Sequence, residues 1–279
     1  EKEKDIESFE VNDHYPVSAT FDYHGVELNA QLNHAFDTHS LAKAFLTRLD
    51  DMMYRIESVD QKDATRSPRA PFTTSSLQQE ASVRLGYSVS KTMTLAQRLY
   101  EAGHITYMRT DGTTLSNDAK AAIGRYVKAH YGDTHYQPRD YQTKAKGAQE
   151  AHEAIRPTTI DTQSAGKDDG EKRLYQLIWA RTVASQMASA KLLKTTITIP
   201  VHEHAFEAKG EVVSFDGFLA VQPLSSRDTP LPSVAIGDTV TEQSVTARQK
   251  FTRPPARFTE ASLVKKLEEL GIGRPSTYA

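Results

Sequence analysis

A chain of 279 residues is long enough for two or three domains, each with its own core. Hydrophobic residues make up 38% and charged residues 25%, and no apolar run approaches the roughly 18 residues that a membrane span requires. The absence of Cys excludes disulfides, thiolate metal sites and a Cys nucleophile, and a formal net charge of −2 gives the chain as a whole no general attraction for polyanions.

The first ten residues, EKEKDIESFE, lack the apolar stretch of a signal peptide. With no Cys, this fits a cytoplasmic protein. The chain opens without Met and stops in the turn-rich GIGRPSTYA, so it reads as a piece of a longer protein. Residues 8–34 read as strands, with His24-Gly25 as the turn of a hairpin. A helix is expected over about 40–51, with Leu41, Ala44, Phe45 and Leu49 at helical spacing. The Pro, Ser and Thr of DATRSPRAPFTTSS then mark a linker or domain crossing.

From about Ser75 the pattern is helical. Leu77, Ala81 and Leu85 form a stripe that Gly86 stops; Ser88 or Ser90 caps a second helix carrying Met93, Ala96, Leu99 and Tyr100, with Gly103 at its end. HITYM follows as a short extended piece. Ser116 caps a third helix with Ala119, Ile123 and Val127 on one side, and a long helix over about 171–190 carries Leu174, Leu177, Ile178, Val183, Ala184 and Met187. After Lys194 the period falls back to two, giving two or three strands to Val221 and another pair in GDTVTEQSVTARQKF. A last helix follows Thr259, with Leu263, Leu267 and Leu270 inward and Gly271 ending it. The fold class is therefore α+β and multi-domain: a β-rich domain over 1–63 and 195–253, interrupted by a helical domain over 64–194, with a further helical domain beginning at 254–279.

Three stretches can carry chemistry. In YEAGHITYMRTDG, Tyr107, Arg109 and Asp111 alternate, so an extended backbone turns all three the same way. Tyrosine is a poor nucleophile because its pKa lies near 10, and enzymes that use it place a positive charge beside it. Arg109 is a candidate for that charge, and its fork can hold two phosphate oxygens. The same pattern also describes a strand edge with a packed Tyr and a solvated Arg, and there are 12 tyrosines to choose from. In AQEAHEAIRPTT, His152 and Arg156 are four apart, on one face if helical; they read either as a phosphodiester-binding pair or as an ordinary helix end before Pro157. HEAIR has Arg where a zinc protease needs its second His. In GIGRPSTYA, Arg274, Ser276 and Thr277 offer a cation and two hydroxyls near flexible glycines, suited to a phosphate backbone or simply to a capped turn.

Weaker signals are set aside. His202 and His204 alternate but lack a third ligand, GKDDGEK reads as a solvated loop, and no Walker-type loop suggests ATP use. Between Arg66 and Arg109 six basic residues face two acidic ones, a local excess of +4, read as a solvated helical face or as a binding groove.

Taken together and in this order, SSLQQEASVRLGYSVSKTMTLAQRLYEAGHITYMRTDG, AQEAHEAIRPT, LYQLIWARTVASQM and PPARFTEASLVKKLEELGIGRPSTYA resemble the bacterial type IA DNA topoisomerases. The resemblance covers about residue 64 to the end and is looser before that. It implies that Tyr107 is the nucleophile, joined to a DNA 5′ phosphate, and that Arg109 positions the scissile phosphate. It implies that His152 binds the DNA backbone, as do Arg274, Ser276 and Thr277, with Asp111 in the same motif; Arg156 stays a DNA-binding candidate from its spacing to His152. The implied fold is part of a torus, with β-rich arms and a helical part carrying Tyr107. The implied activity is relaxation of negatively supercoiled DNA by cleavage, strand passage and religation, without ATP, in the cytoplasm on the nucleoid, by a monomer with no membrane contact. The family binds Mg²⁺ through an acidic cluster in an N-terminal Toprim domain. No Asp-x-Asp-x-Glu is found here, so the chain is expected to be a central fragment that binds no metal and is inactive alone, completed by N-terminal and C-terminal domains. MRTDG departs from the family in carrying Gly112 where Ser is usual. Two alternatives remain: a non-catalytic single-stranded-DNA-binding module, and a tyrosine recombinase, whose His-x-x-Arg spacing and late Tyr do not match His152, Arg156 and Tyr107.

Overall fold

The computed structural model describes residues 1–50, 52–141, 153–223 and 229–278. In chain order these form α1 (Lys2–Glu7), β1 (Asp13–Tyr23), β2 (Val26–Phe36), α2 (His39–Thr47), β3 (Tyr54–Arg55), β4 (Ser58–Arg66), α3 (Thr74–Leu85), α4 (Val89–Glu101), α5 (Asn117–Tyr131), α6 (Asp169–Ser185), β5 (Ala190–Val201), β6 (His204–Phe215), β7 (Thr239–Ala247), β8 (Lys250–Phe251) and α7 (Glu260–Leu270). Two short 3₁₀ turns, Asp133–His135 and Gly217–Ala220, complete the set. The fold is mixed α/β, built on an antiparallel sheet of order β3-β7-β1-β2-β6-β5-β4, with β8 pairing β1. Two compact units result. One comprises Glu1–Thr65, Lys191–Phe215 and Ser226–Arg257; the other comprises Arg66–Ala190, Asp216–Ser225 and Phe258–Ala279.

The sheet unit follows from alternation. Val17, Ala19 and Phe21 on β1 and Leu28, Ala30 and Leu32 on β2 turn one face into the core, where Ile197, Ile199, Phe206 and Ala208 from β5 and β6 meet them. Phe21 is fully buried, its ring 5.0 Å from Tyr54 and 5.5 Å from Phe206. The β1–β2 hairpin closes at His24-Gly25, both with positive φ (52° and 84°), the left-handed pair that a two-residue turn requires. On α2 the buried face is Ala42 and Phe45, followed by Leu49, whereas Leu41 is exposed, one position off the expected stripe. Two strands, β5 and β6, form where two or three were expected, with a 3₁₀ turn at 217–220 after them, and β7 and β8 pair with β1 rather than with each other. His202 sits in the β5–β6 turn, while His204 stacks on His34, so the two do not form a common ligand face.

In the helical unit the caps define the elements. Ser88, not Ser90, caps α4; Ser116 caps α5; Gly86 ends α3 in the left-handed region at φ 69°. Leu77, Ala81, Met93, Ala96, Leu99, Ile123, Val127, Leu174, Ile178 and Val183 form the core. The long helix stops at Ser185, and its start reaches back into the predicted solvated loop: Asp168 is its N-cap, and the buried Glu171 accepts a hydrogen bond from the Lys167 N–H. α7 packs on α3 within this unit, through Ala261 and Val264; Leu263 and Leu270, expected inward, are exposed. No described helix is long and apolar enough to cross a membrane.

Candidate active site

Of the 12 tyrosines, only Tyr100 and Tyr107 are exposed, at 40% and 49%. Several of the others are held neutral. Burial and a Glu242 hydrogen bond push the Tyr54 phenol up, burial pushes Tyr175 up to about 12, and burial aided by Glu268 raises Tyr278. Tyr107 rests edge-on against Tyr100, ring centroids 5.3 Å apart.

The segment 105–112 is not a strand; only Ile105 pairs, in a bridge to Pro157. It alternates nonetheless. Ile105, Met108, Thr110 and Gly112 are buried, while Tyr107 is exposed and Arg109 and Asp111 are partly exposed. The alternation is imposed by contacts on both flanks. On one side, the hydroxyl of Thr74, the first residue of α3, donates to the Met108 carbonyl (2.8 Å) and accepts from the Thr110 N–H (2.9 Å). The Thr74 N–H donates to the Thr110 carbonyl at 2.9 Å. On the other side lie residues 153–157, which are extended rather than helical: Phe72 bridges Ile155, Thr114 bridges Glu153, and the Thr106 N–H donates to the Arg156 carbonyl. The Thr106 hydroxyl donates to the Ala154 carbonyl (2.7 Å) and accepts from the Arg156 N–H (2.9 Å).

This extended course corrects the expected helical pairing of His152 with Arg156. Arg156 turns to Glu153 at 2.7 Å and to the Pro157 carbonyl, and its side chain is only 16% exposed. These contacts brace the segment. Glu153 in turn accepts from the Ser116 N–H, the residue that caps α5. Burial tends to raise the Glu153 carboxyl, but hydrogen bonds from Arg156 and Ser116 outweigh it and hold it below its usual value. His152 lies outside the described residues.

The C-terminal loop meets the same segment. Arg109 donates from Nη1 to the Ser276 carbonyl at 3.1 Å. Asp111 and Arg274 line a small cleft with Thr73, Ser75, Glu268 and Tyr278. Gly271 and Gly273 supply the turn, with φ of 68° and 82°. The Thr277 hydroxyl, expected to face a ligand, is occupied locally: it accepts from the Arg274 N–H (2.9 Å) and donates to the Arg274 carbonyl (3.1 Å). Thr277 therefore shapes the loop that presents Arg274. Glu268, which accepts from the Ser75 hydroxyl at 2.7 Å, joins α7 to α3 beneath this cleft. Thr74 and Glu268 were not anticipated, since an isolated Thr in a Ser/Thr-rich stretch and a Glu on a charged helix face carry no pattern.

Tyr107, Arg109, Asp111 and Arg274 thus come from the junction of α4 with 105–112 and from the loop after α7. The arrangement offers an exposed phenol and two guanidiniums suited to phosphate oxygens. Among the described residues no group of three or more His, Asp or Glu converges where a divalent cation could sit. The described residues therefore do not fit a metal site.

The chain matches the family model described as DNA topoisomerase over residues 1–279. It is 48% identical over 245 residues to DNA topoisomerase 1 of Vibrio cholerae, covering 85% of this chain and 28% of that protein. It is 43% identical to the Escherichia coli DNA topoisomerase 1, covering all of this chain and 34% of that one. Full-length topoisomerase I from Thermotoga maritima superposes with a TM-score of 0.84 at 32% identity, covering all of this chain and 47% of that structure. The chain spans roughly a third of the length of these curated relatives. With the whole chain matched by one family model, it belongs to the type IA DNA topoisomerase family.

Proposed function

We propose that this chain carries the nucleophile of a DNA strand transesterase. The Tyr107 oxygen attacks a backbone phosphorus; the P–O bond to the 3′ oxygen breaks as the P–O bond to tyrosine forms. The phenol proton leaves and the departing 3′ oxygen takes one up. A 5′-phosphotyrosine results, and attack by the 3′ hydroxyl reverses each of these changes. The ester conserves the bond, so no ATP is consumed, and torsional strain in negatively supercoiled DNA gives the cycle its direction. Arg109 and Arg274 hold the phosphate oxygens, and Asp111 and Ser276 order the segment between them.

The observation that carries this reading is the exposure of Tyr107 on a segment clamped from both flanks, beside Arg109. In the same reading the helical unit is an insertion within the β-rich arch of a torus, and 254–279 opens a further helical domain whose first helix rests on α3. His152 adds a backbone contact. Mg²⁺, held by a part of the protein outside this chain, would supply charge stabilisation, so the 279 residues alone neither nick nor relax DNA. The protein acts as a monomer in the cytoplasm, on the nucleoid.

The deciding experiment traps the covalent adduct of a chain extended to the length of its relatives on single-stranded DNA, then maps the modified peptide. The expected attachment is Tyr107 to a 5′ phosphate. A 3′ linkage favours recombinase-type chemistry, and attachment to any other side chain overturns the reading. If the chain is only a binding module, no adduct forms at all.

A further inference from the structure

The helical unit has a second cationic cleft that shares no lining residue with the one beside Asp111. It is open, has a volume of about 970 Å³, and among the described residues its lining includes Arg66, Arg69, Arg84, Arg181 and the carboxylate of Glu80. That carboxylate serves three guanidiniums: Arg84 at 2.7 Å on one oxygen, and Arg181 at 3.1 Å and Arg69 at 3.4 Å on the other. Each guanidinium has five N–H donors and no acceptor, so donors far outnumber what one carboxylate can take. Arg181 makes the excess costly. Its side chain is only 4% exposed, it lies over the Phe72 ring at 4.4 Å, and its buried Nε finds no hydrogen-bond partner among the described residues. Burial, with Arg69 and Arg84 adding repulsion against the pull of Glu80, lowers the Arg181 guanidinium to about 10. It remains charged near neutrality, and an anion in the cleft would relieve the repulsion among the guanidiniums.

We propose that this cleft is a second contact for the phosphate backbone of single-stranded DNA, made by Arg69, Arg84 and Arg181 and separate from the site at Tyr107. The inference rests on the DNA-acting reading above. A strand fits better than a free anion because the guanidiniums are graded outward. Arg181 is buried, Arg84 is 40% exposed and Arg69 is 77% exposed, so they can meet successive phosphates. One inorganic phosphate would occupy a small part of the space. The apolar side chains of Val83 and Phe218 line the same cleft and offer a surface to sugar and base.

The test measures binding of fluorescent oligothymidylate to the 279-residue chain across a salt series, for wild type, the double variant R69Q/R84Q, and R125Q. The pair is expected to weaken binding at least fivefold at low salt. It should also reduce the magnitude of the log–log salt slope by about 1.4, at about 0.7 for each single-strand phosphate no longer neutralised. R125Q, which removes an exposed arginine of α5 that lines neither cleft, should match wild type. A second measurement needs no variant: the Arg181 Nε–H resonance should shift on adding oligothymidylate more than on adding equimolar inorganic phosphate. Equal affinity and slope in the pair, or an Nε–H signal that responds only to phosphate, overturns the inference. That outcome leaves the Tyr107 reading untouched, since adduct mapping decides it separately. A wild-type chain with no affinity for oligothymidylate also overturns the inference.

Discussion

At the scale of single residues, the site depends on geometry that charge alone does not supply. Arg109 spends one Nη1 hydrogen bond on the Ser276 carbonyl, which fixes the plane of its fork. Lysine keeps the charge but loses both the fork and the fixed plane. R109K, made in a chain of full relative length, should therefore reduce adduct formation by about tenfold or more while changing oligonucleotide affinity little. Equal adduct yield in a quench series would show that only charge matters here. Glu153 gives a second residue-level prediction, in pH. Its carboxyl lies below the usual value of 4.5 in the folded chain because Arg156 and Ser116 outweigh burial. A lowered folded value means that the stabilisation is complete above 4.5 and is lost as pH falls through the folded value. The melting temperature of wild type should fall more steeply below pH 4.5 than that of E153Q, which lacks the titration and weakens the Arg156 contact at every pH. Parallel curves would sink this assignment.

Among the elements, α3 does more than pack. Its first residue, Thr74, holds Met108 and Thr110 through one buried hydroxyl, and so fixes the two residues on either side of Arg109. T74V keeps the shape and leaves the buried Thr110 N–H without that acceptor, at a cost of about 1–3 kcal/mol. We expect lower thermal stability and a lower adduct yield in T74V, both restored in T74S; a valine variant as stable as wild type would remove Thr74 from the account. Local chemistry made much of this architecture readable in advance. Cap residues Ser88, Ser116 and Thr259, the left-handed Gly86 and Gly271, and the His24-Gly25 turn each act within a few residues of their own position. The failures came where distant partners decide. EAIRP has good helix formers, yet Glu153–Pro157 is extended because bridges to Phe72, Ile105 and Thr114 outweigh propensity. On α7 the larger leucines suggested the buried face, but the contact with α3 uses Ala261 and Val264, small side chains that allow close approach. At the site, the alternation around Tyr107 was legible, whereas the roles of Thr74, Arg156 and Thr277 depend on which carbonyl each hydroxyl or guanidinium meets.

For the molecule as a whole, a net charge of −2 is at odds with the proposed action on DNA until its distribution is considered. Long-range attraction scales with net charge and is screened within about 10 Å at 0.1 M salt, so at physiological ionic strength local charge decides. The stretch from Arg66 to Arg109 holds six basic residues against two acidic ones, and the four arginines of the second cleft belong to the helical unit. Binding should therefore be local, shallow and dominated by ion release rather than by base contacts. If about four phosphates are neutralised, the slope of log affinity against log salt for a single strand is about −3, and raising salt fourfold costs roughly fiftyfold. The purified chain should bind oligothymidylate measurably at 50 mM salt and very weakly at 200 mM, with little preference between oligonucleotides of equal length, values set by that slope. An affinity that holds through the same salt increase would mean that stacking or base-edge contacts carry the binding. In that case the arginines identified here would be framework, and the recognition surface would have to lie elsewhere on the chain.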